Sequence, residues 1–424
     1  MANSFNKEER VAFEEMLEGF QDALVLSRNV AIYNTNMSEM ERSADVIWRP
    51  QPYISQSFDG MDQTGNFKDY TQLAVPATLG FSKSSPWIMD AKQLRDALQE
   101  GRLLESAKQK LSSDINRALN NVAALQGTIV VKRTTAAAGY DDVALIEAAM
   151  NEQGIMYDER ALAISTRDYN GMASNLAARA YIAPGSMPSE AYKKSFVGEI
   201  ASFDTFKMDY CPRQAAALGV TVSMALANQY YVPKATSTAT TGEVSNVDNR
   251  YQTISITVSS GTVKAGDAFT IASCNSVHHI TKQDTGQLKT FRIINVLTGA
   301  GGTGTVQISP PIISGQGNSD AELMYQNVTA TPANGAVITF LNTTAAFANP
   351  FWQRDALEIL PGHYAVPDDA GMSVMRASTD QGIELVFSKQ ADVNTLKTKY
   401  RVDTLFGVVN KQPEMTGIIL FGQA

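Results

Sequence analysis

Residues 261–271, GTVKAGDAFTI, carry the pattern of a β-strand entered through a tight turn. Val263, Phe269 and Ile271 are expected on one face of a strand, the period-two pattern of a half-buried sheet. Lys264, Gly266 and Asp267 read as the turn residues before it. The surroundings explain why such a β-unit follows long helical patterns. Residues 232–345 carry six acidic and six basic residues in 114 positions, so the net charge of −8 resides outside this segment. Thr and Gly are abundant there. Strand candidates recur at Tyr251–Val258, Ala268–Ile271, Thr290–Val296, Thr305–Ile308 and Ala336–Leu341. Short strands at close intervals indicate an antiparallel β-barrel or sandwich. Mixed helix and strand patterns flank it on both sides. A β-domain is therefore inserted into a host fold, and its two ends must lie close together.

Working outward, residues 7–28 suit an amphipathic helix. Phe13, Met16, Leu17, Phe20 and Leu24 form one stripe, with Glu14, Glu15, Glu18 and Asp22 beside or opposite it. In residues 46–85, Asp59-Gly60 and Thr64-Gly65-Asn66 are turn signals between two extended runs, which predicts a long two-stranded β-loop. Such a hairpin is marginal alone in water and must lie on something. The longest helical pattern falls within 90–126, with Leu103, Leu104, Ala107, Leu111, Ile115, Ala118, Leu119, Val122 and Leu125 at spacings of three and four. Gly127 follows as the stop, and about 25 residues make a rod of roughly 38 Å. Strands are expected at 128–131, 160–164 and 220–222, and helices at 141–150 and 168–180.

Composition excludes several functions. The chain has 424 residues, room for two or three domains. It shows no block of Lys and Arg such as DNA-backbone binding needs. No apolar run is long enough to span a bilayer. The charged N-terminus, MANSFNKEERVAFEEM, is unlike a secretory leader, so a cytosolic product is expected. Cys211 and Cys274 are read as reduced thiols. Gly299–Gly304, GAGGTG, fits the dinucleotide spacing, but TVQISPP follows where a helix is required, so it reads as a hairpin turn. Cys274, His278 and His279 lack a fourth donor for zinc and lie in NSVHHITKQDTGQ, which reads as a mobile polar loop. His363 has no evident catalytic partners, and no nucleophile elbow, phosphate loop or HExxH is present. No cofactor, metal or catalytic residue is expected, and the chain is read as a non-enzyme.

Several segments, in order, resemble the coat proteins of short-tailed temperate Salmonella and Shigella phages. Arg42-Ser43 to Ile47-Trp48 is similar to the approach to that family's extended loop, and GRLLESAKQKLSSDINRALNNVAALQG to its spine helix. Ala201-Ser202-Phe203-Asp204 resembles a segment of its axial domain. Val247-Asp248-Asn249-Arg250 and VKAGDAFTI resemble the inserted barrel. Asn349-Pro350-Phe351-Trp352 with Asp355-Ala356 resembles the return to the host. Phe406-Gly407-Val408-Val409-Asn410 with Pro413-Glu414 resembles the closing strand.

The resemblance implies an α+β, Hong Kong 97-type capsid fold with an inserted antiparallel β-barrel. The expected parts are an N-terminal arm (1–45), extended β-hairpin loop (46–85), peripheral domain with spine helix (86–135), axial domain (136–224), barrel (225–345) and axial/peripheral return (346–424). It implies a major capsid protein whose hexamers and pentamers form an icosahedral shell, T=7, around double-stranded DNA. A scaffolding protein and a portal are the implied partners, and no membrane is involved. The shell would be assembled in the bacterial cytoplasm and end as the virion head. The family's scaffolding contact maps to Glu14, Glu15 and Glu18. Related coats carry an acidic loop before Val-Asp-Asn-Arg that pairs with a neighbouring subunit. Here ATSTATTGEVSN offers only Glu243, so a salt-bridged contact is not expected. The competing reading is an adhesive or carbohydrate-binding protein. It would want exposed aromatics clustered in the β-domain, whereas those present stand in strand-like, core-type surroundings.

Overall fold

The computed structural model describes residues 5, 7–33, 46–90, 97–178, 198–219, 221–365, 371–392 and 394–424. The Arg42-Ser43 stretch lies outside them. The chain divides into two compact units, each assembled from separated segments. One comprises 1–47, 76–120 and 357–409, and the other 48–75, 121–356 and 410–424.

In the first unit, helix α1 (Lys7–Ala23) buries Phe13, Met16 and Phe20 and leaves Glu14, Glu15 and Glu18 exposed. The expected helix over 7–28 stops at Ala23, where the Asn116 side chain donates to the Ala23 carbonyl (3.0 Å), and a 3-10 turn follows at Leu26–Asn29. Asn116 belongs to the long helix α2 (Ala97–Gln126). Leu104, Ala107, Leu111, Ile115 and Leu119 form its buried stripe, as the spacing predicts. The stripe then passes to Ala123 and Ala124, because the 3.6-residue period rotates Leu125 into solvent. The sheet of this unit runs Ala31–Ile32, Leu357–Pro361, Lys397–Asn410, Glu384–Asp392, Ser373–Ser378, and Phe81–Asp90 also pairs with Lys397–Asn410. Trp87, Phe387 and Tyr400 stack on neighbouring strands, and Phe13 of α1 stacks on Phe387.

The second unit holds a six-stranded sheet ordered Ile129–Lys132, Thr416–Leu420, Asn349–Gln353, Arg160–Ser165, Phe203–Met208, Glu199–Ile200. Thr416–Leu420, Asn349–Gln353 and Arg160–Ser165 are buried along their whole length, which is why their interiors (GIIL, PFW, ALAI) are apolar without alternation. Helices α3 (Tyr140–Glu152) and α4 (Thr166–Ala178) cover one face, where Ile146, Met150 and Met172 meet Ile129 and Ile419. Alternation turns Val130, Ile418 and Leu420 to the other face, against Ala268 and Leu341.

Those last two residues belong to the guest domain. Strands β1 (Thr221–Met224), β2 (Gln252–Ser260), β3 (Ala268–Val277), β4 (Asp284–Val296), β5 (Gly304–Ser309) and β6 (Val337–Phe340) close a barrel in the order β1-β2-β5-β4-β3-β6. Every pair is antiparallel, and β6 returns to β1 through Val222↔Ile338. The short strand read at 220–222 is thus the barrel's first strand. The domain starts upstream of the expected boundary at 225, since closure needs a sixth strand to pair both β2 and β6.

The expected two-stranded loop over 46–85 is paired only at its base, where Val46–Pro50 meets Ala74–Thr78. Residues 51–73 form no ladder, and Phe81 onward belongs to the sheet of the first unit.

Candidate assembly surfaces

The acidic residues of α1 form one solvent face because the opposite stripe is committed to packing. Glu9 is the exception. It is buried and pairs with Lys389, and it accepts a hydrogen bond from the Tyr400 hydroxyl (3.2 Å). Glu14, Glu15 and Glu18 are brought together on the outer side, spaced so that an incoming cationic group could meet all three.

Residues 51–73 are organised by local side-chain bonds. At the tip, the Gln63 amide donates to the Gly60 carbonyl (2.6 Å), and the Thr64 hydroxyl donates to Asp62 (2.6 Å). Nearer the base, Tyr53 and Tyr70 meet edge to face at 6.0 Å. Met61 is 103% and Phe67 88% exposed, and Tyr53, Phe58 and Tyr70 are also exposed. Exposed apolar side chains gathered on one loop make it a candidate contact surface.

Val263, Phe269 and Ile271 all join the barrel core, with Phe291, Phe340, Ile256 and Ile308. Val263 does so from the loop before β3, which corrects its expected place on that strand. Its backbone N–H donates to the Gly301 carbonyl (2.7 Å). Gly301 (φ +92°) is required there, since a Cβ would lie 2.6 Å from the Val263 carbonyl oxygen. Gly299–Gly304 is the β4–β5 turn, as read from the sequence.

Asp267 closes the expected turn by accepting from the Lys264 N–H (2.9 Å), but it is also buried and accepts from the Asn342 side chain (3.0 Å). Burial raises its pKa, opposed by these hydrogen bonds and by Lys264 and Arg292. Arg292 of β4 is wholly buried on the outward face of the barrel. It donates to the carbonyls of Ala124 and Gly127 at the C-terminal end of α2 and to Gln214 (3.0 Å). A guanidinium among the last carbonyls of a helix satisfies acceptors that have no partner within it.

Of the stretch read as a polar loop, Ile280, Thr281, Gln283, Asp284, Gly286 and Gln287 are exposed, while Ser276 and Val277 are buried in β3 and the His279 N–H at the loop's base donates to the Gln153 carbonyl (3.0 Å). Lys289 is 2% exposed and pairs with Glu414 at 2.7 Å. Burial would raise the Glu414 pKa, but Lys289 and His279 outweigh it and hold the carboxyl down at about 2. Burial lowers His279 to about 4, against the pull of Glu414, and lowers Lys282 to about 8. Cys274 turns into the barrel core, and burial pushes its thiol up to about 11. His278 accepts from the Ile280 and Thr281 N–H groups. Among the described residues no cluster of three or more Asp, Glu, His or Cys side chains could hold a metal ion.

Glu243 sits in a two-stranded ribbon, Thr236–Thr238 with Val244–Asn246, exposed along both strands. At its foot Arg250 pairs with Asp248 (2.6 Å) and donates to the Asn410 carbonyl (2.9 Å). Asn249 accepts from the Lys234 N–H (3.0 Å) and returns a bond to its carbonyl (2.9 Å), closing the ribbon's two ends. The sequence pointed to the acidic face, the barrel core and the loop that carries Glu243, though not to the pairing that makes that loop a ribbon. It did not point to Arg292, Lys289 or Glu414. The available signal was charge: Lys289 and Arg292 stand inside the apolar run LKTFRIINV, where a charge needs a buried partner.

A family model described as P22 coat protein, gene protein 5, matches residues 1–422. Among solved structures, the CUS-3 coat protein I-domain is 41% identical, covering 29% of this chain and 96% of its own, with a TM-score of 0.23. A Mycobacterium phage Che8 structure is 8% identical, covering 93% and 90%, with a TM-score of 0.45. The mature capsid of bacteriophage PhiM1 is 8% identical, covering 93% and 85%, with a TM-score of 0.43.

Proposed function

The chain belongs to the P22 coat protein family and is a major capsid protein of a phage head, and from that premise we propose how its surfaces serve the shell. It is a structural protein that self-assembles into a shell of capsomers. The proposed shell is icosahedral, with T=7 geometry and Hong Kong 97-type subunits in hexamers and pentamers. It forms in the host cytoplasm around a scaffolding protein, with a portal at one vertex, and is then filled with double-stranded DNA. A chain of net charge −8 suits a container into which DNA is driven, because the wall need not attract it.

The observation that carries the reading is the extended loop. Met61 and Phe67 stand out at 103% and 88% exposure on a segment with no ladder of its own, which suits a loop laid over a neighbouring subunit. Residues 86–135 and 136–224 are assigned to peripheral and axial domains, 346–424 to their return, and 1–45 to the N-terminal arm. Glu14, Glu15 and Glu18 are assigned to the scaffolding contact, supported by their exposure on one face of α1. Glu243, the one charge of its ribbon, marks a minor inter-subunit contact, since an exposed pair contributes only about 0–1 kcal/mol.

The test is co-expression with scaffolding protein, followed by size-exclusion chromatography and negative-stain imaging. Closed shells are expected. A small oligomer persisting under all conditions would favour the adhesive alternative.

A further inference from the structure

The geometry points to a role for the inserted barrel beyond its own fold: it aims the extended loop, with Asp320 and Tyr325 as positioning residues. This rests on the reading that the loop serves a neighbouring subunit.

Residues 51–73 have no ladder to set their direction. Packing does not set it fully either, because a cavity of about 420 Å³ lies under the loop base. Its walls include Tyr53 and Leu73 of the loop and Ile280, Pro311, Ile313 and Tyr325 of the guest domain. A dense interface would lock the loop's angle, whereas beside an open cleft of this size individual contacts carry that task.

Two polar contacts come from one short element of the guest domain, helix α5 (Asp320–Met324) and Tyr325, the capping residue that follows it. Asp320 pairs with Lys68 at 2.6 Å, and the Tyr325 hydroxyl donates to the Thr71 carbonyl at 3.0 Å. The element is itself held: Ser319 caps it by accepting from the Glu322 N–H (3.1 Å), and the neighbouring Asn327 bonds to Glu414 (3.0 Å). Lys68 and Thr71 lie on the returning leg of the loop. The Tyr53–Tyr70 contact and the Gln51 N–H to Leu73 carbonyl bond (2.8 Å) join that leg to the outgoing one, so holding one holds both.

The experiment uses the unassembled full-length chain. In a variant carrying Asp320→Asn and Tyr325→Phe, hydrogen exchange of the Gln51 amide, which donates to the Leu73 carbonyl across the two legs, should quicken roughly tenfold while the β1–β6 amides keep their protection. Shell formation with scaffolding protein should slow in parallel. The charge swap Lys68→Asp with Asp320→Lys should restore much of the protection. Unchanged exchange of the Gln51 amide in the double variant overturns the proposal. Should the double variant unfold the barrel, Lys68→Met decides, since it alters only the loop side: a several-fold rise in Gln51 exchange is expected, and none would overturn it. The underlying reading is tested separately with Met61→Asp and Phe67→Asp together. Normal assembly of that variant removes the neighbour contact but leaves the exchange result to judge the positioning role.

Discussion

Phe269 and Arg292 lie on adjacent barrel strands and show what one residue can reveal. Phe269 is legible as core because its apolar period places it with Ile271. It stacks on Phe291 at 5.7 Å and is 1% exposed. Phe269→Ala should cost about 3–5 kcal/mol, read as a lower urea midpoint for the barrel amides with little change in the first unit. A shift under about 1 kcal/mol would mean that the site collapses around the gap. The other face of β3 misleads. Ala268 and Thr270 are buried too, because the host sheet covers the outside of the barrel there. Arg292 is harder still. Its acceptors at Ala124 and Gly127 are more than 160 positions away, so no local pattern announces them.

Among the elements, α1 was recognisable in sequence and the ribbon was not, and the roles of both rest on what faces solvent. Replacing Glu14, Glu15 and Glu18 by Lys should leave the thermal midpoint of the monomer nearly unchanged, because exposed charges contribute little to stability. Scaffolding-protein incorporation into particles should fall sharply, and wild-type incorporation would remove these residues from that contact. Shortening 236–243 should leave assembly largely intact. The ribbon's ends are already tied by Asn249 and Lys234, and Glu243 is its one charge. Loss of particles on that deletion would show the ribbon to be an essential tie. The extended loop was legible as turns between extended runs. Its lack of a ladder beyond the base was not, because pairing depends on how far the two legs diverge and not on residue type.

For the whole molecule, the packed cluster of Glu414, Lys289 and His279 couples stability to pH. His279 has a folded pKa of about 4 against 6.5 unfolded, so its contribution is present above 6.5 and lost as pH falls towards 4. Glu414, at about 2 against 4.5, adds a loss of the same sign between 4.5 and 2. Asp267 acts the other way, since its raised pKa means that acid relieves a buried charge. Between pH 6.5 and 4, His279→Gln should therefore flatten the fall in unfolding free energy by about 1–3 kcal/mol. Urea titrations of both proteins at pH 7, 5.5 and 4 check this, and identical slopes would exclude His279 as the source. The inserted β-segment, most of the barrel core, the long helix α2 and the acidic face of α1 are written in the sequence, because charge density and apolar period are carried by residues close along the chain. Tertiary structure alone decided barrel closure through Thr221–Met224, the partners of Arg292 and Lys289, and the ties from Asp320 and Tyr325 to the loop. Each of those joins groups far apart in sequence, and a buried charge specifies only that it needs a partner, not which one the fold will bring.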